Sequence, residues 1–582
     1  MKLILSRLRH NYFNSFLEVF EFAKQKFLVT SALPYVNGVK HIGNLLGSLL
    51  PADVYARYLR SKGEEVVFIC GTDEHGTPCE IAALEEGLPV EKYAEKYFKI
   101  QKRVYDGWGL SFDFFGRTSG KENHETTREL FLAAFKRGFI KGHTLKLPYC
   151  LECKRFLPDR YLTGVCPHCN YTNAKGDQCE KCGRVLDPIE LLNPVCAVCK
   201  KSRIEFRESK HLFLDLPALS NDLHKWISIQ KQWPDNARNF ALQWIKDGLK
   251  ERCITRDLQW GVKVPLKGYE DKVFYVWFDA PIGYLSFTKE FFKAKGSPEE
   301  WREYWQSKDA RIVHFLGKDN IAFHTVIWPG MLLASQYAQL PWQVKSLEFL
   351  NYEGQKFSTS RKWGVFTDEA LEWFPADYWR YYLLSILPES SDADFVWDDF
   401  KKSVNNDLAD VFGNLVHRCL VFAKNNFGGK IPHGTGFSAE DEEFKKKIAE
   451  RVAATGNAFD AFKLQEALRE AIALAHDSNK YFNAKEPWKR IKTDFQDAAN
   501  TVFLTANAIH SLSIILEPFI PFSCEKTRRF LKANAVSWDK AAKQNIEGDH
   551  AFSEKFEPLF RKLEDEEINA KAELISKRSE PK

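Results

Sequence analysis

Eight cysteines stand in four C-x-x-C pairs inside one 50-residue window: Cys150/Cys153, Cys166/Cys169, Cys179/Cys182 and Cys196/Cys199. A C-x-x-C turn brings two thiolates onto one tetrahedral ion, and two such turns complete a closed zinc site. The window therefore has to fold as compact metal-braced knuckles, two ions in all. Two connectivities satisfy the spacing. Either two ribbons follow one another, or an inner C-x2-C-x9-C-x2-C set (Cys166, Cys169, Cys179, Cys182) nests inside an outer one (Cys150, Cys153, Cys196, Cys199). A four-thiolate site has no open position, so the role is structural. His168 is not needed as a ligand.

The other five cysteines (Cys70, Cys79, Cys253, Cys419, Cys524) are scattered, the usage of a reducing compartment rather than a disulfide scaffold. At 582 residues the chain has room for about three or four domains. No apolar run reaches the ~20 residues of a membrane span. A net charge of +5 is modest for a polyanion binder, so nucleic-acid contact has to rest on local patches. The first 26 residues are basic and partly amphipathic. A transit peptide, in which Glu18 and Glu21 are uncommon, stands beside two other readings, an extra N-terminal helix or a start assigned too far upstream.

Residues 27–33 read as a buried strand, 41–62 as a helix kinked at Pro51, and 66–70 as a second buried strand. Strand, helix, strand at this spacing is a βαβ unit of a parallel sheet, whose ligands bind at the C-terminal strand ends. Helical patterns fill 90–140. Strands follow at 312–316 and 347–350, the second ending in a polar loop at 355–362. From about 400 the pattern is periodic helix, as in 407–425 and 462–481, which predicts a bundle. The tail 536–582 is polar and helical at best.

His41-Ile42-Gly43-Asn44 lies where the first strand's loop becomes a helix. A helix N-terminus offers free N–H groups and a positive dipole end, suited to phosphate. Gly43 admits a close ligand; His41 and Asn44 can donate to phosphate oxygens. By itself the turn is equally a capping turn. Lys356-Phe357-Ser358-Thr359-Ser360-Arg361-Lys362 offers cations and hydroxyls that can stabilise a transferring phosphoryl group. By itself it is equally a solvated charge run.

Together the two segments resemble the HIGH and KMSKS signatures of class I aminoacyl-tRNA synthetases. The surrounding words resemble the methionyl family: S-A-L-P-Y-V-N-G, G-T-D-E-H-G-T, F-Y-V-W-F-D-A-P-I-G-Y and H-F-L-G-K-D-N-x-x-F-H, over about 26–535. Asn44 in place of the second His resembles the archaeal and eukaryotic branch. The resemblance implies an α/β protein: a Rossmann-type parallel-sheet catalytic domain with a zinc-knuckle insertion, then an all-α anticodon-binding bundle. The expected boundaries are 1–25 (N-terminal extension), 26–140 and 256–345 (halves of the catalytic domain), 141–255 (insertion), 346–400 (signature-loop and stem-contact region), 401–535 (bundle) and 536–582 (tail).

It also implies the chemistry. Methionine carboxylate attacks the α-phosphate of ATP, Mg2+ accompanying the nucleotide, and the adenylate then esterifies the terminal adenosine of tRNA(Met), initiator included. His41, Asn44 and Lys356 would be catalytic, with Gly43, Ser358, Thr359 and Ser360 completing the ATP site. Leu33, Asp73, Trp277, Ala280, Pro281, Tyr284 and His324 would bind methionine, Asp73 its ammonium. Tyr284 and His324 could donate to its sulfur. Asn414, Arg418 and Trp488 would read the CAU anticodon, Trp488 from a loop, by stacking. Family members with a single knuckle resemble the inner cysteine set, which favours nesting. Two departures stand out. Thr359 replaces a lysine, so Lys356 carries that role or Arg361 and Lys362 compensate. Asn320 stands where bacterial-type pockets tend to be apolar.

Synthetases for isoleucine, valine or leucine carry editing insertions for which the knuckle window leaves little room. A cysteine enzyme would place its zinc at the catalytic site. A non-enzymatic zinc-ribbon RNA-binding protein would explain the cysteines and the bundle but not the paired nucleotide motifs. No appended dimerisation or tRNA-binding domain is evident after about 560. That predicts a cytoplasmic monomer and leaves room for a separate tRNA-binding partner protein.

Overall fold

The computed structural model describes residues 24–579, apart from 177, 178, 180, 183, 185, 187 and 360. The N-terminal extension to residue 23, and Ser360, lie outside the described residues.

Lys26–Ser31 (β1) is buried from Phe27 onward, as its unbroken apolar run requires. The helix after it (α1) runs through Ile42–Asn44, a π-helical turn at Leu45–Leu49, and Leu50–Ser61. The expected distortion is present, but as a π turn just ahead of Pro51. Pro51 then stands in the first turn of the following α segment, where its missing N–H costs least. Glu65–Thr72 (β2) completes the βαβ unit.

The sheet has five strands, all parallel. Phe114–Arg117 (β3), Ala310–Gly317 (β4) and Gln343–Leu347 (β5) join in the order β5-β4-β1-β2-β3. The strand order reverses between β1 and β4, which is the switch point where open α/β sheets bind ligands. Two expectations are corrected here. The region 90–140 is not all helix, because β3 extends the sheet edge between Val90–Gly107 and Lys121–Lys136. The strand expected at 347–350 is two strands in different sheets, β5 and Leu350–Tyr352.

The insertion hangs on a long antiparallel ribbon, Ile140–Cys150 against Ile204–Leu214, with Cys150 at its far end. The bundle is built from Asn414–Asn426 (α2), Ala439–Asp460 (α3), Leu464–Lys485 (α4), Phe495–Ile515 (α5) and Pro521–Leu531 (α6). Where one helix was expected at 407–425, a ten-residue π segment, Val404–Gly413, precedes α2. Helix α5 is long and apolar enough to cross a membrane by length and composition, yet its whole apolar window is buried: it is the core helix of the bundle.

The tail is more than a polar helix. Phe552, Phe560, Leu563, Ile568 and Ile575 are buried, the last two on Asp565–Ser579 (α7). The sheet domain and the bundle share one core. Its polar pin is Arg380, fully buried. Arg380 pairs with Asp53 of α1 (2.7 Å) and donates to the carbonyls of Phe519 (2.8 Å), Pro518 (2.8 Å) and Trp108 (3.1 Å). Burial alone would raise the Asp53 pKa, but Arg57, Arg380 and Ser111 hold it down to about 2. Breaking such a pair strands a buried charge, at a cost of about 3–5 kcal/mol.

Candidate active site and knuckle centres

A cleft of about 370 Å³ opens at the switch point. Eleven residues expected to bind substrate line it together: Leu33, His41, Gly43, Asn44, Asp73, Trp277, Ala280, Pro281, Tyr284, His324 and Lys356. Ser358 and Thr359 do not.

His41 caps α1, its Nδ1 accepting the Asn44 backbone N–H at 3.2 Å. Burial, with Lys40 beside it, lowers its pKa to about 3, so the ring is neutral and its one proton sits on Nε2. That makes Nε2–H the donor at the positive end of a helix. The ring stacks on Phe357, and the turn is tied to the segment beyond that loop by Ile42 N–H to Val365 O (3.0 Å) and Thr367 N–H to Lys40 O (2.8 Å). The two signature segments are thus one structure.

Lys356 ends a two-residue strand paired with Leu350–Tyr352. Ser358 and Trp363 exchange backbone hydrogen bonds (3.0 and 2.9 Å), which leaves Thr359, Arg361 and Lys362 on an exposed turn outside the cleft. Lys356 is the cation of this loop that lines the cleft; Arg361 and Lys362 do not line it. Arg578 of α7 grips the far side of the turn. It donates to the carbonyls of Lys362 (2.9 Å) and Gly364 (2.6 Å) and pairs with Glu369.

At the other end of the cleft Asp73 follows β2. It is buried, and its Oδ1 has no hydrogen-bond partner among the described residues. Burial, then Asp279, pushes its pKa well above the usual carboxylate range. Trp277 donates its indole N–H to the Tyr35 hydroxyl (2.6 Å) and stands edge-on to Phe323, centroids 4.0 Å apart. His324 Nδ1 meets the Asn320 carbonyl at 3.1 Å, and a carbonyl only accepts, so Nδ1 carries the proton. Burial lowers the His324 pKa to about 4, leaving Nε2 bare to accept the Tyr284 O–H at 2.9 Å. Both protons that were expected to reach a ligand sulfur are already engaged in this arrangement. Asn320 also lines the cleft and, through its carbonyl, sets the His324 tautomer.

Residues 27–420 match the family model described as tRNA synthetases class I (M), and residues 431–579 match the anticodon binding domain of methionyl tRNA ligase. The methionine–tRNA ligase of Cereibacter sphaeroides is 44% identical over 561 residues, 93% of this chain and 97% of the relative. That of Thermofilum pendens is 44% identical over 558 residues, 95% and 98% of the two chains. The chain belongs to the methionyl-tRNA synthetase family. The crystal structure of Mycobacterium tuberculosis methionyl-tRNA synthetase bound by methionyl-adenylate has the same fold, with a TM-score of 0.76 at 25% identity, covering 92% of this chain and 100% of that one.

The family's insertion carries two four-cysteine clusters here, and they are nested: Cys150, Cys153, Cys196 and Cys199 in one, Cys166, Cys169, Cys179 and Cys182 in the other. Sulfur–sulfur distances are 3.6 Å (Cys150–Cys199), 3.8 Å (Cys153–Cys196), 3.9 Å (Cys166–Cys182) and 3.6 Å (Cys169–Cys179). A tetrahedron with ~2.3 Å zinc–sulfur bonds has edges of ~3.8 Å, so the donor sets fit zinc. Residues just after three of the pairs (Lys154, Asn170, Lys200) take left-handed backbone, which turns each loop back on its thiolates.

On the bundle, Asn414 and Arg418 lie on α2. Arg418 donates to Asn483 Oδ1 (2.8 Å), and its guanidinium lies 5.2 Å from the Phe482 ring centre and 5.7 Å from that of Trp488. Trp488 is 41% exposed. It stands not on a loop but on a one-turn helix, Pro487–Arg490.

Several lining residues went unread in the sequence, and three of them contact predicted site residues directly. Lys40 borders His41, with burial lowering its pKa to about 7; Tyr35 holds Trp277; Phe357 packs on His41. Only a positive charge next to the histidine turn signalled the first, and nothing local signalled the others.

Proposed function

We infer that the chain is a methionine–tRNA ligase. It activates L-methionine with ATP, releases pyrophosphate, and transfers the methionyl group to the terminal adenosine of tRNA(Met), releasing AMP. The observation that carries this is the shared cleft: Asp73, His41 and Lys356 line one cavity at the switch point of a parallel sheet.

Asp73 takes the substrate ammonium, which supplies the partner that Oδ1 lacks. Leu33, Trp277, Ala280, Pro281, Tyr284 and His324 surround the thioether, a long polarisable group suited to an aromatic and small-apolar wall. The carboxylate then points toward the α1 N-terminus, where His41 Nε2–H, Asn44 and the helix end hold phosphate and Gly43 lets it approach. Lys356 neutralises the leaving pyrophosphate as charge builds on it. Ser358 and Thr359 stand in the turn behind Lys356, and Ser360 belongs to the same proposed ATP site. Mg2+ bound with ATP would offset phosphate charge. Positioning and electrostatics supply most of the rate.

The two thiolate tetrahedra hold zinc and brace the insertion at 141–255. The bundle at 401–535 binds the CAU anticodon, Trp488 stacking a base and Asn414 and Arg418 contacting base edges. The protein acts as a cytoplasmic monomer, with room for a separate tRNA-binding partner.

The test is ATP–pyrophosphate exchange with each of the twenty amino acids. Exchange with methionine alone is expected. Exchange with another amino acid keeps the reaction and rejects the pocket, and no exchange in zinc-loaded protein rejects the reading.

A further inference from the structure

Trp488 sits on a very short support. Its helix, Pro487–Arg490, has one turn and enters through Glu486 in left-handed backbone. A helix that short does not hold itself. Two cations flank the indole in sequence, Lys485 three residues before and Arg490 two after. Both converge on one carboxylate, Asp497 in the first turn of α5. Arg490 Nη1 meets Asp497 Oδ2 at 2.7 Å, and Lys485 Nζ pairs with Oδ1.

The inner arm is anchored deeply. Lys485 is 1% exposed, and its ammonium also pairs with the fully buried Asp441 of α3 at 3.0 Å. Tyr481 donates its hydroxyl to the same Asp441 oxygen at 2.6 Å. Asp497 is fixed in turn, because Asp494 Oδ1 accepts its backbone N–H at 3.0 Å. The Trp488 turn is thus clamped at both ends to the starts of α3 and α5, while its ring stays exposed. An exposed indole held still pays little ordering entropy when a base stacks on it.

We propose that Asp497 is a positioning residue for tRNA: it touches no nucleotide but fixes Trp488 in the orientation that receives an anticodon base. This rests on the reading of Trp488 as the stacking platform. Helical propensity does not account for the arrangement, since a single capping carboxylate would serve α5 and Asp494 already provides one.

The experiment uses the full-length zinc-loaded protein and four variants: Asp497→Asn, Arg490→Ala, Trp488→Ala and the Trp488→Ala/Asp497→Asn double. Three activities are measured: methionine-dependent exchange, charging of a tRNA(Met) transcript, and charging of a minihelix that lacks the anticodon. Asp497→Asn is expected to raise KM for the transcript about tenfold, within the range for one stacked base, with kcat retained. Arg490→Ala gives a smaller rise. Exchange and minihelix charging stay at the wild-type level, which a general loss of structure would not allow. The double variant is expected to be no worse than Trp488→Ala, because Asp497 acts through that ring. Effects that multiply, or a matching fall in exchange, overturn the proposal. A silent Trp488→Ala overturns both this proposal and the platform reading; a silent Asp497→Asn beside an effective Trp488→Ala overturns the positioning alone.

Discussion

The imidazole of His41 lies flat against the ring of Phe357, centroids 4.5 Å apart and planes 12° from parallel. Gly43 is what permits the contact. A Cβ at position 43 would stand 3.0 Å from His41 Nδ1 and 3.2 Å from Phe357 Cδ2. Gly364 is needed on the other side, where φ is +111° and a Cβ would overlap Phe357.

Gly43→Ala should therefore displace the stack as well as crowd the nucleotide. Exchange kcat/KM is expected to fall up to about 100-fold, the scale of a small misplacement at a reacting centre, while methionine binding measured by calorimetry changes little. Methionine affinity falling in parallel would reject a local effect.

Asp73 is buried with no partner for Oδ1 among the described residues, at a cost to the fold. Its folded pKa lies above the unfolded value, so the native state binds the extra proton. The sign is the reverse of an ion-paired aspartate. This group's share of stability is present below the unfolded carboxylate pKa and is lost as pH rises through the raised folded pKa. Asp73→Asn is expected to raise the melting temperature of the ligand-free protein at pH 7 by ~2 °C. The same change should lower exchange kcat/KM by about 100-fold or more, the scale of removing half of a buried charge pair. Because the ammonium favours the ionised form, methionine binding should release protons, visible as a buffer-dependent enthalpy. A lower melting temperature would show that Asp73 is stabilising as it stands.

Lys356 faces the cleft and Thr359 does not. Lys356→Ala is expected to cut the exchange rate about 100-fold, the magnitude of removing one transition-state donor. Thr359→Ala, Arg361→Ala and Lys362→Ala should each stay within about twofold, since charges on an exposed turn are strongly screened. Equal losses across the set would make the turn, not the lysine, the functional unit.

Elemental analysis should find two zinc per chain. Cys166→Ser is expected to lose one and leave the outer site partly loaded. Cys150→Ser should lose the outer ion and keep the inner, because no ligand is shared between the two sets. Loss of both ions from either variant would mean that the sites fold as one unit.

The parallel core was legible in the sequence because β1, β2 and β4 are buried on both faces and read as apolar runs. The edge strand β3 was not: Phe-Phe-Gly-Arg is four residues with a glycine, and nothing local separates it from a turn. β5 was misplaced because Lys345 interrupts its pattern. That lysine is buried all the same, paired with Glu389 at 2.9 Å, a partner no local window contains. The spacing of the knuckle pairs left two connectivities open; resemblance to single-knuckle family members favoured the nested one, which the structure shows. The cleft was legible by resemblance, residue by residue, but its hydrogen bonding was not. The Asn320 carbonyl that orients His324 and the tyrosine that holds Trp277 depend on where distant segments meet. So does the tail: its buried residues are too widely spaced to show as an apolar face.

Arg578 and the carbonyl of Lys362 lie 216 residues apart in the chain. During synthesis the cleft, the knuckles and the bundle all leave the ribosome before the side chain that seats the Lys356 turn. A chain cut between the bundle and α7 keeps every residue that lines the cleft and lacks that grip. The turn beside Lys356 is thus the last part of the site to receive its hold, supplied by the last helix described.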